Sequence, residues 1–456
     1  MRRAAFVLAA LGALSALLVM SSGAGAGPTP RSFLIVAKGN ALPTNLSAKV
    51  QAAGGTLTNT VPQVGIAVAS SANTDFSAKA ATLGTVVPNL NLQWVDPARR
   101  VEGPGVDFAN PPTSGDDDFF FDLQWGHDAV GAIEAWNAGE RGAGARVAVL
   151  DTGFDIQHPD LVPNIDFGAS VDFTGEGLDY ALPDPFSHGS HTAGTVAAAD
   201  NGFGTIGVAP DADLILVKVL SDEGSGSFED VISGIVYAAG VADADVISMS
   251  LGARIPRSGD PLDPEVDTPE EVADLKMAIN RATRYADAQG ATVIASAGND
   301  AEDYDQNVGI LHLPSMADKV LAISATAPIG WAVDPTVSLD NLASYSNYGN
   351  SVLDFAAPGG DFVLPGEDPC VVAGLLRPCW VFDLVFSTGN NAWFWSAGTS
   401  MAAPHAAGVA AIIIGANGGE MKPKDVERAL KNSTDRVGKS KFFGHGRVNA
   451  GNAVAP

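Results

Sequence analysis

Basic residues are scarce: 26 lysines and arginines stand against 52 aspartates and glutamates, a net charge of −26 over 456 residues. That deficit argues against nucleic acid and anionic membrane surfaces as partners, because phosphate binding needs clustered Lys and Arg. The deficit is uneven. Residues 1–100 carry +6 and the remainder −32, so a small basic module could dock on a large acidic one, or composition merely changes at a domain boundary. Cysteine is scarcer still: Cys370 and Cys379 allow one disulfide across a short loop, or two free buried thiols. Long apolar runs are missing beyond the first, residues 4–20, which falls short of the ~20 residues that span a bilayer. With Arg2-Arg3 before it and the small residues 21–26 after it, this run predicts a secretory signal over residues 1–26, cut after Ala26. The protein is therefore expected to be secreted and extracellular, with no membrane contact once the signal is removed. What the chain has in quantity, 46% apolar residues and 51 glycines, predicts a compact α/β protein of two or three domains.

Residues 31–97 contain neither His nor Cys, so nothing in them looks catalytic. Apolar alternation predicts strands over 32–37, 55–61, 64–70 and 89–95 and helices over 45–53 and 76–83. The order β-α-β-β-α-β is that of a split βαβ, ferredoxin-like α+β module. A linker over 98–122 follows, with Gly103-Pro104-Gly105, Pro111-Pro112 and Asp116-Asp117-Asp118, a solvated stretch open to cutting.

Residues 123–456 read as one larger domain. Continuous apolar strands end at Asp151, near Gly224-Ser225-Gly226, at Gly252 and near Asn299, and they alternate with helices over 231–241 and 270–288. Such a pattern predicts a doubly wound, mostly parallel sheet with helices on both faces. Functional groups in these sheets gather beyond the carboxyl ends of the strands, where Asp151 and Asn299 fall.

Ser400 starts a helix of small residues, Met401-Ala402-Ala403-Pro404-His405-Ala406-Ala407-Gly408. A serine there is either an N-cap or a nucleophile on a rigid mount. Pro404 is expected to be tolerated within the first turn, where N–H groups need no partner. Of seven histidines, His188 lies at the open end of another small-residue helix. His191 is one turn deeper, and His405 is about 140° round its helix from Ser400. Asp151 either orients an imidazole or closes an Asx-turn.

Three blocks now stand out. Val149-Leu150-Asp151-Thr152-Gly153 with His158-Pro159-Asp160-Leu161, then His188-Gly189-Ser190-His191-Thr192-Ala193-Gly194-Thr195, then Gly398-Thr399-Ser400-Met401-Ala402-Ala403-Pro404-His405 resemble the signatures of the subtilisin-like serine proteases, in that family's order Asp, His, Ser. The resemblance spans about residues 123–454 and departs mildly at Ser190 and Thr192, where Thr and Val are commoner, a change expected to spare the reacting atoms.

The resemblance implies a serine endopeptidase in which Ser400 attacks the scissile carbonyl, His188 moves the proton, Asp151 holds the imidazole and Asn299 stabilises the oxyanion. It implies polypeptide substrates held in extended form between Gly224-Ser225-Gly226 and Ser250-Leu251-Gly252. The module at 31–97 becomes the chain's own inhibitory propeptide and folding assistant, the linker holds the maturation site, and the active form is expected to be monomeric. A catalytically silent binding protein on the same fold is the alternative. The inserted segment 361–391, with both cysteines, and the loop 253–270 could each rim the cleft or merely decorate it. The resemblance also implies a structural Ca2+ site using Asp160 and the loop 200–205, Asn201 included, with Asp122 or Asp118 as a further ligand.

Overall fold

A computed structural model of the chain describes residues 29–95, 99–105, 116–259 and 268–455. The expected signal, residues 1–26, lies outside the described residues, as do the middle of the linker and part of the loop 253–270.

The N-terminal module is an antiparallel four-stranded sheet in which Arg31–Ala37 and Ile66–Ser71 are central and Thr56–Val61 and Gly84–Pro88 are the edges. Helices Leu46–Ala52 and Phe76–Ala80 cover one face, closing a core of Phe33, Ile35, Val50, Ala67, Ala69 and Phe76. The ferredoxin-like expectation holds, with one correction. The fourth strand is Gly84–Pro88, not 89–95, because the β-branched Val86 and Val87 pair with Ile35 and Leu34. Asn91–Gln93 leaves this sheet and adds to the large domain instead, antiparallel to Ser225–Ser227.

The large domain is built on a mostly parallel sheet. Across it run 341–342, Val320–Ala327, Thr292–Ser296, Val246–Met249, Arg146–Asp151, Asp213–Lys218 and 171–172, with Phe355–Pro358 also beside Val320–Ala327. Continuous apolar strands are needed because both faces are covered. In Arg146–Asp151, Val147 and Val149 face the core that holds the helix His188–Ala197 and the helix Thr399–Ala416. Ala148 and Leu150 face the other core, with helices Phe228–Gly240 and Pro269–Gln289. Those last two helices begin at sequence-encoded capping boxes, Ser227 with Asp230 and Thr268 with Glu271. Chain order places neighbours of Arg146–Asp151 on opposite sides, so Asp151 ends its strand at the switch point of the sheet.

The helix Thr399–Ala416 is buried almost all round, which explains its small residues. A side chain on Gly408 would place Cβ 2.6 Å from Val208 Cβ. Pro404 falls in the second turn of this helix rather than the first, so the Ser400 carbonyl loses its N–H partner four residues on. Ser250 Oγ replaces that partner, donating to Ser400 O at 2.7 Å.

The second face of the small sheet, with Leu34, Val36, Ile66, Val68 and Val87, packs into the same apolar core as helices Phe228–Gly240 and Pro269–Gln289, and charges of the large domain add polar contacts to it. Glu229 accepts from Asn59 and Asn89 at 2.9 and 3.2 Å, and Arg281 donates to the carbonyls of Ala37, Gly39 and Val64. The charged partners here face amides and carbonyls of the module rather than its lysines.

Candidate active site

Asp151 is fully buried and fully engaged. Its Oδ1 accepts from Thr152 N and from His188 Nδ1, both at 2.7 Å, and its Oδ2 accepts from Thr192 Oγ1 at 3.1 Å. The bond from His188 sets the imidazole: Nδ1 carries the proton and Nε2 keeps a lone pair. Thr192 is thus no bystander. A Val there could not donate to the aspartate, so the mild departure at this position gives the hydroxyl a use of its own.

His188 opens its helix, whose N-cap Ser187 accepts from Ser190 N at 3.0 Å and donates to Gly153 O at 2.7 Å. This ties the helix start to the turn after Asp151. Among the described residues His188 is the histidine hydrogen-bonded to a carboxylate. His191 is buried on the Phe394 carbonyl and held neutral, burial pushing it down to about 3. His127 and His405 face each other with ring centroids 5.8 Å apart, and burial pushes them down to about 3 and about 4. His312 is held on Ser315 and His158 on the Ala392 carbonyl.

Ser400 is not a cap. The helix is preceded by Gly398 with no side-chain cap bond, and Ser400 Oγ donates to Ser250 O at 3.1 Å. The expected hydrogen-bonded line is therefore half made in this structure: Asp151 joins His188, whereas the serine hydroxyl points to the Ser250 carbonyl. Catalytic hydrogen bonds commonly close only when substrate is in place. The helices carrying His188 and Ser400 pack together. Phe186 and Met401, near neighbours of the two residues, share one apolar cluster.

Asn299 is fixed from behind. Its Oδ1 accepts from Thr399 N at 2.9 Å and Thr399 Oγ1 at 2.8 Å, which leaves Nδ2 as the free end of the amide. A Cβ built on Gly398 would lie 3.5 Å from Ser400 N and 3.7 Å from Asn299 Nδ2. Two donors thus converge on one space beside Gly398, and Ser400 N is an unused first-turn donor of its helix. The arrangement can receive a developing negative charge.

The predicted peptide-binding edges are taken up by the chain itself. Ser225–Ser227 pairs with Asn91–Gln93. Gly224 O accepts from Trp94 N and Val95 N at 3.0 and 3.3 Å, and Gly252 N donates to Trp94 O at 2.8 Å. Trp94 is buried, its ring 5.0 Å from that of Phe228 and its Nε1 on the Gly226 carbonyl at 2.8 Å. Leu251 lies in the same core. Beside this segment a cavity of about 250 Å3 is lined by His188, Thr152, Val95 and Arg100.

Both cysteines join in one disulfide, which links the paired strands Pro369–Val372 and Leu375–Pro378 to the turn that follows. Asp160, expected as a metal ligand, is buried. Its Oδ2 accepts from Thr205 N, Thr205 Oγ1 and Trp393 Nε1, while Oδ1 is buried with no hydrogen-bond partner. Asn201 Nδ2 donates to Pro159 O at 3.2 Å. Alongside, the carboxylates of Asp116, Asp117, Asp118 and Asp200 converge, all within 4.8 Å of one another. Of the two further ligands considered, Asp118 is in this group and Asp122 is not. Burial and the adjoining Asp116 carboxyl push Asp118 up to about 8.

The family comparison agrees with this geometry. Residues 142–446 match the subtilase family, Peptidase S8. Thermitase from Thermoactinomyces vulgaris is 33% identical over 340 residues, 74% of this chain and 98% of that protein. Subtilisin Savinase from Lederbergia lenta is 34% identical over 330 residues, 72% of this chain and 97% of that protein. The major intracellular serine protease of Bacillus subtilis is 33% identical over 293 residues, 64% of this chain and 75% of that protein. Among solved structures, the epidermin leader peptide processing serine protease from Staphylococcus aureus superposes with a TM-score of 0.71 at 20% identity, covering 93% of this chain and 98% of its own. That likeness speaks to the fold. Family match, catalytic-type geometry and relatives above 30% identity converge, and the chain belongs to the subtilase family of serine endopeptidases.

Proposed function

We propose that the chain is a secreted, self-processing precursor: signal at 1–26, inhibitory propeptide and folding assistant at 31–97, linker with the maturation region at 98–122 and catalytic domain at 123–456. Ser400 Oγ attacks the scissile carbonyl as His188 Nε2 takes its proton. The carbonyl oxygen becomes an anion held by Asn299 Nδ2 and Ser400 N. His188 then protonates the leaving amine, and water hydrolyses the acyl-enzyme by the reverse sequence. Asp151 holds the tautomer and stabilises the imidazolium, with Thr152 N as a fixed donor and the Thr192 hydroxyl, which also reaches the Gly189 carbonyl at 3.0 Å, as a second. The family match and the presence of Asp151, His188, Asn299 and Ser400 together speak against the silent-protein alternative.

The observation that carries the precursor reading is the course of residues 91–95. A segment of the N-terminal module lies as an added strand on the edge Gly224–Ser227 and bonds to Gly252, as a peptide substrate would. Bound there, it both inhibits the site and presents the chain for its own cut. The test is expression in a host lacking other proteases, with N-terminal sequencing of the product. A mature terminus that fails to form, or forms equally without Ser400, would refute self-processing. Secretion rests on residues 1–26 and is tested by the same protein's appearance in the medium.

Trp94 is the main anchor of that segment. Trp94→Ala removes a buried indole, a change that costs about 3–5 kcal/mol in protein cores. The variant is expected to release peptidase activity more than tenfold faster after the first cut, read as the lag in a continuous peptide assay.

Calcium would be held by Asp116, Asp117, Asp118 and Asp200, where it would neutralise carboxylates that repel one another. Asp118 is held near 8 in the folded chain against an ordinary value of about 4. Between those values the folded state binds more protons than the unfolded one, so stability without the cation falls as pH rises from 4 to 8. The thermal midpoint gained with calcium over a chelator is therefore expected to be larger at pH 8 than at pH 5. An equal gain at both, or none, would contradict this site.

A further inference from the structure

The chain makes backbone contacts with the large domain at two places near the Ser400 helix. Trp94 and Val95 bond to Gly224 and Gly252. A few residues later Arg100–Glu102 adds antiparallel to Trp393–Ser396, the strand that leads into Gly398 and Ser400. Ser396 Oγ donates to Arg99 O at 3.2 Å and Gly103 N donates to Trp393 O at 2.7 Å. Val95 thus bonds to the Gly224 edge and Arg99 to the strand that leads into Ser400, and residues from Arg99 onward lie on the leaving-group side of any bond cut between them.

Successive side chains of a strand point to opposite faces, and each arginine meets a prepared surface. The Arg99 guanidinium lies 4.2 Å from the centre of the Phe362 ring. Phe362, at the start of the inserted segment 361–391, is itself stacked on Tyr345 at 5.9 Å. On the opposite face Arg100 pairs with Asp184 and lies 5.2 Å from the Phe186 ring. Phe186 packs against Phe394 at 5.4 Å. Its N–H donates to Asp184 Oδ1 at 3.0 Å, which leaves Oδ2 to meet the guanidinium. Planar cations over aromatic faces, one with a carboxylate, form a recognisable basic-residue site.

We propose that Phe362 on one side and Asp184 with Phe186 on the other are leaving-group-side subsites that make this endopeptidase favour bonds followed within a few residues by two consecutive basic residues, in the linker and in other polypeptides alike. The inference rests on the reading that Ser400 is the nucleophile and that residues 91–95 and 99–102 meet the protein as the two sides of a substrate do. The −32 charge beyond residue 100 favours arrival of basic peptides at low salt.

The test uses the processed wild-type enzyme and two internally quenched peptides: one with the sequence of residues 91–102, the other with both arginines replaced by alanine. About tenfold higher kcat/KM for the arginine peptide is expected, from two cation–aromatic contacts and one half-exposed ion pair. Mass spectrometry should place the cut before Arg99, and the ratio should shrink in 1 M NaCl. In Asp184→Asn and Phe362→Ala enzymes the ratio should fall toward one. Because it is a ratio, it is insensitive to the fraction of enzyme that folds. Equal rates for both peptides, a cut after Arg100, or a ratio unchanged in both variants would overturn the subsites. So would cleavage of denatured casein with neither peptide cut. An enzyme that cleaves neither casein nor peptide would overturn the parent reading instead.

Discussion

Ser400→Ala is expected to accumulate as an uncut precursor with no measurable peptidase activity. The expected loss is about 10⁶ in kcat, the magnitude known for removing a subtilisin's nucleophile. On the proposed mechanism the alcohol is irreplaceable because it supplies the bond-forming atom, whereas its surroundings survive the change. Gly398 still follows the approach strand, Pro404 still leaves the Ser400 carbonyl to Ser250 Oγ, and the missing hydroxyl takes with it a single hydrogen bond, to Ser250 O. Stability should therefore change little. N-terminal sequencing of the expressed product and a thermal melt read the two quantities separately. A matured N-terminus in a host without other proteases would mean that another enzyme makes the cut. The covering segment 91–95 should also remain in place in this variant, so that added propeptide finds no open cleft.

Asn299→Ala is expected to lower kcat by about 10² to 10³ with KM little changed. The reason is geometric. Thr399 N and Oγ1 grip Asn299 Oδ1, so Nδ2 is held toward the space it shares with Ser400 N. A donor placed there meets a carbonyl oxygen only weakly in the ground state and strongly once that oxygen carries charge, so its loss falls on the transition state. A rise in KM with kcat unchanged would instead identify Asn299 as a ground-state contact. Thr399→Ala removes one of the two grips and should cost less than the loss of the amide itself, since Thr399 N remains as a donor.

Local pattern carried the chemistry because each signature block is short and its residues act within a few positions of one another. Asp151 at the end of an apolar strand and His188 at a capped helix start were readable in this way. Ser400 at the head of a small-residue helix was equally readable, and two cysteines left one pairing to form. Thr192 was visible but undervalued, because whether a helix hydroxyl faces a carboxylate depends on how the helix is rotated against its sheet.

Residues 89–95 carry strand character in any context, and their composition does not say which sheet edge they will complete. That depends on Gly224–Ser227 offering unpaired backbone groups and on a pocket beside Phe228 that accepts Trp94. Likewise Gly, Pro and Asp in the linker announce an exposed stretch, yet Arg100–Glu102 becomes a strand once Trp393–Ser396 presents an edge. The acidic run 116–118 becomes a candidate cation site only when folding carries Asp200 to it. Amino-acid order dictated the periodicities, the caps and the reactive groups, all of which act over one or two turns. Pairing between segments more than 100 residues apart is written in backbone hydrogen bonds that every residue type can make, so the assembled chain alone settled which edges residues 91–93 and 100–102 complete.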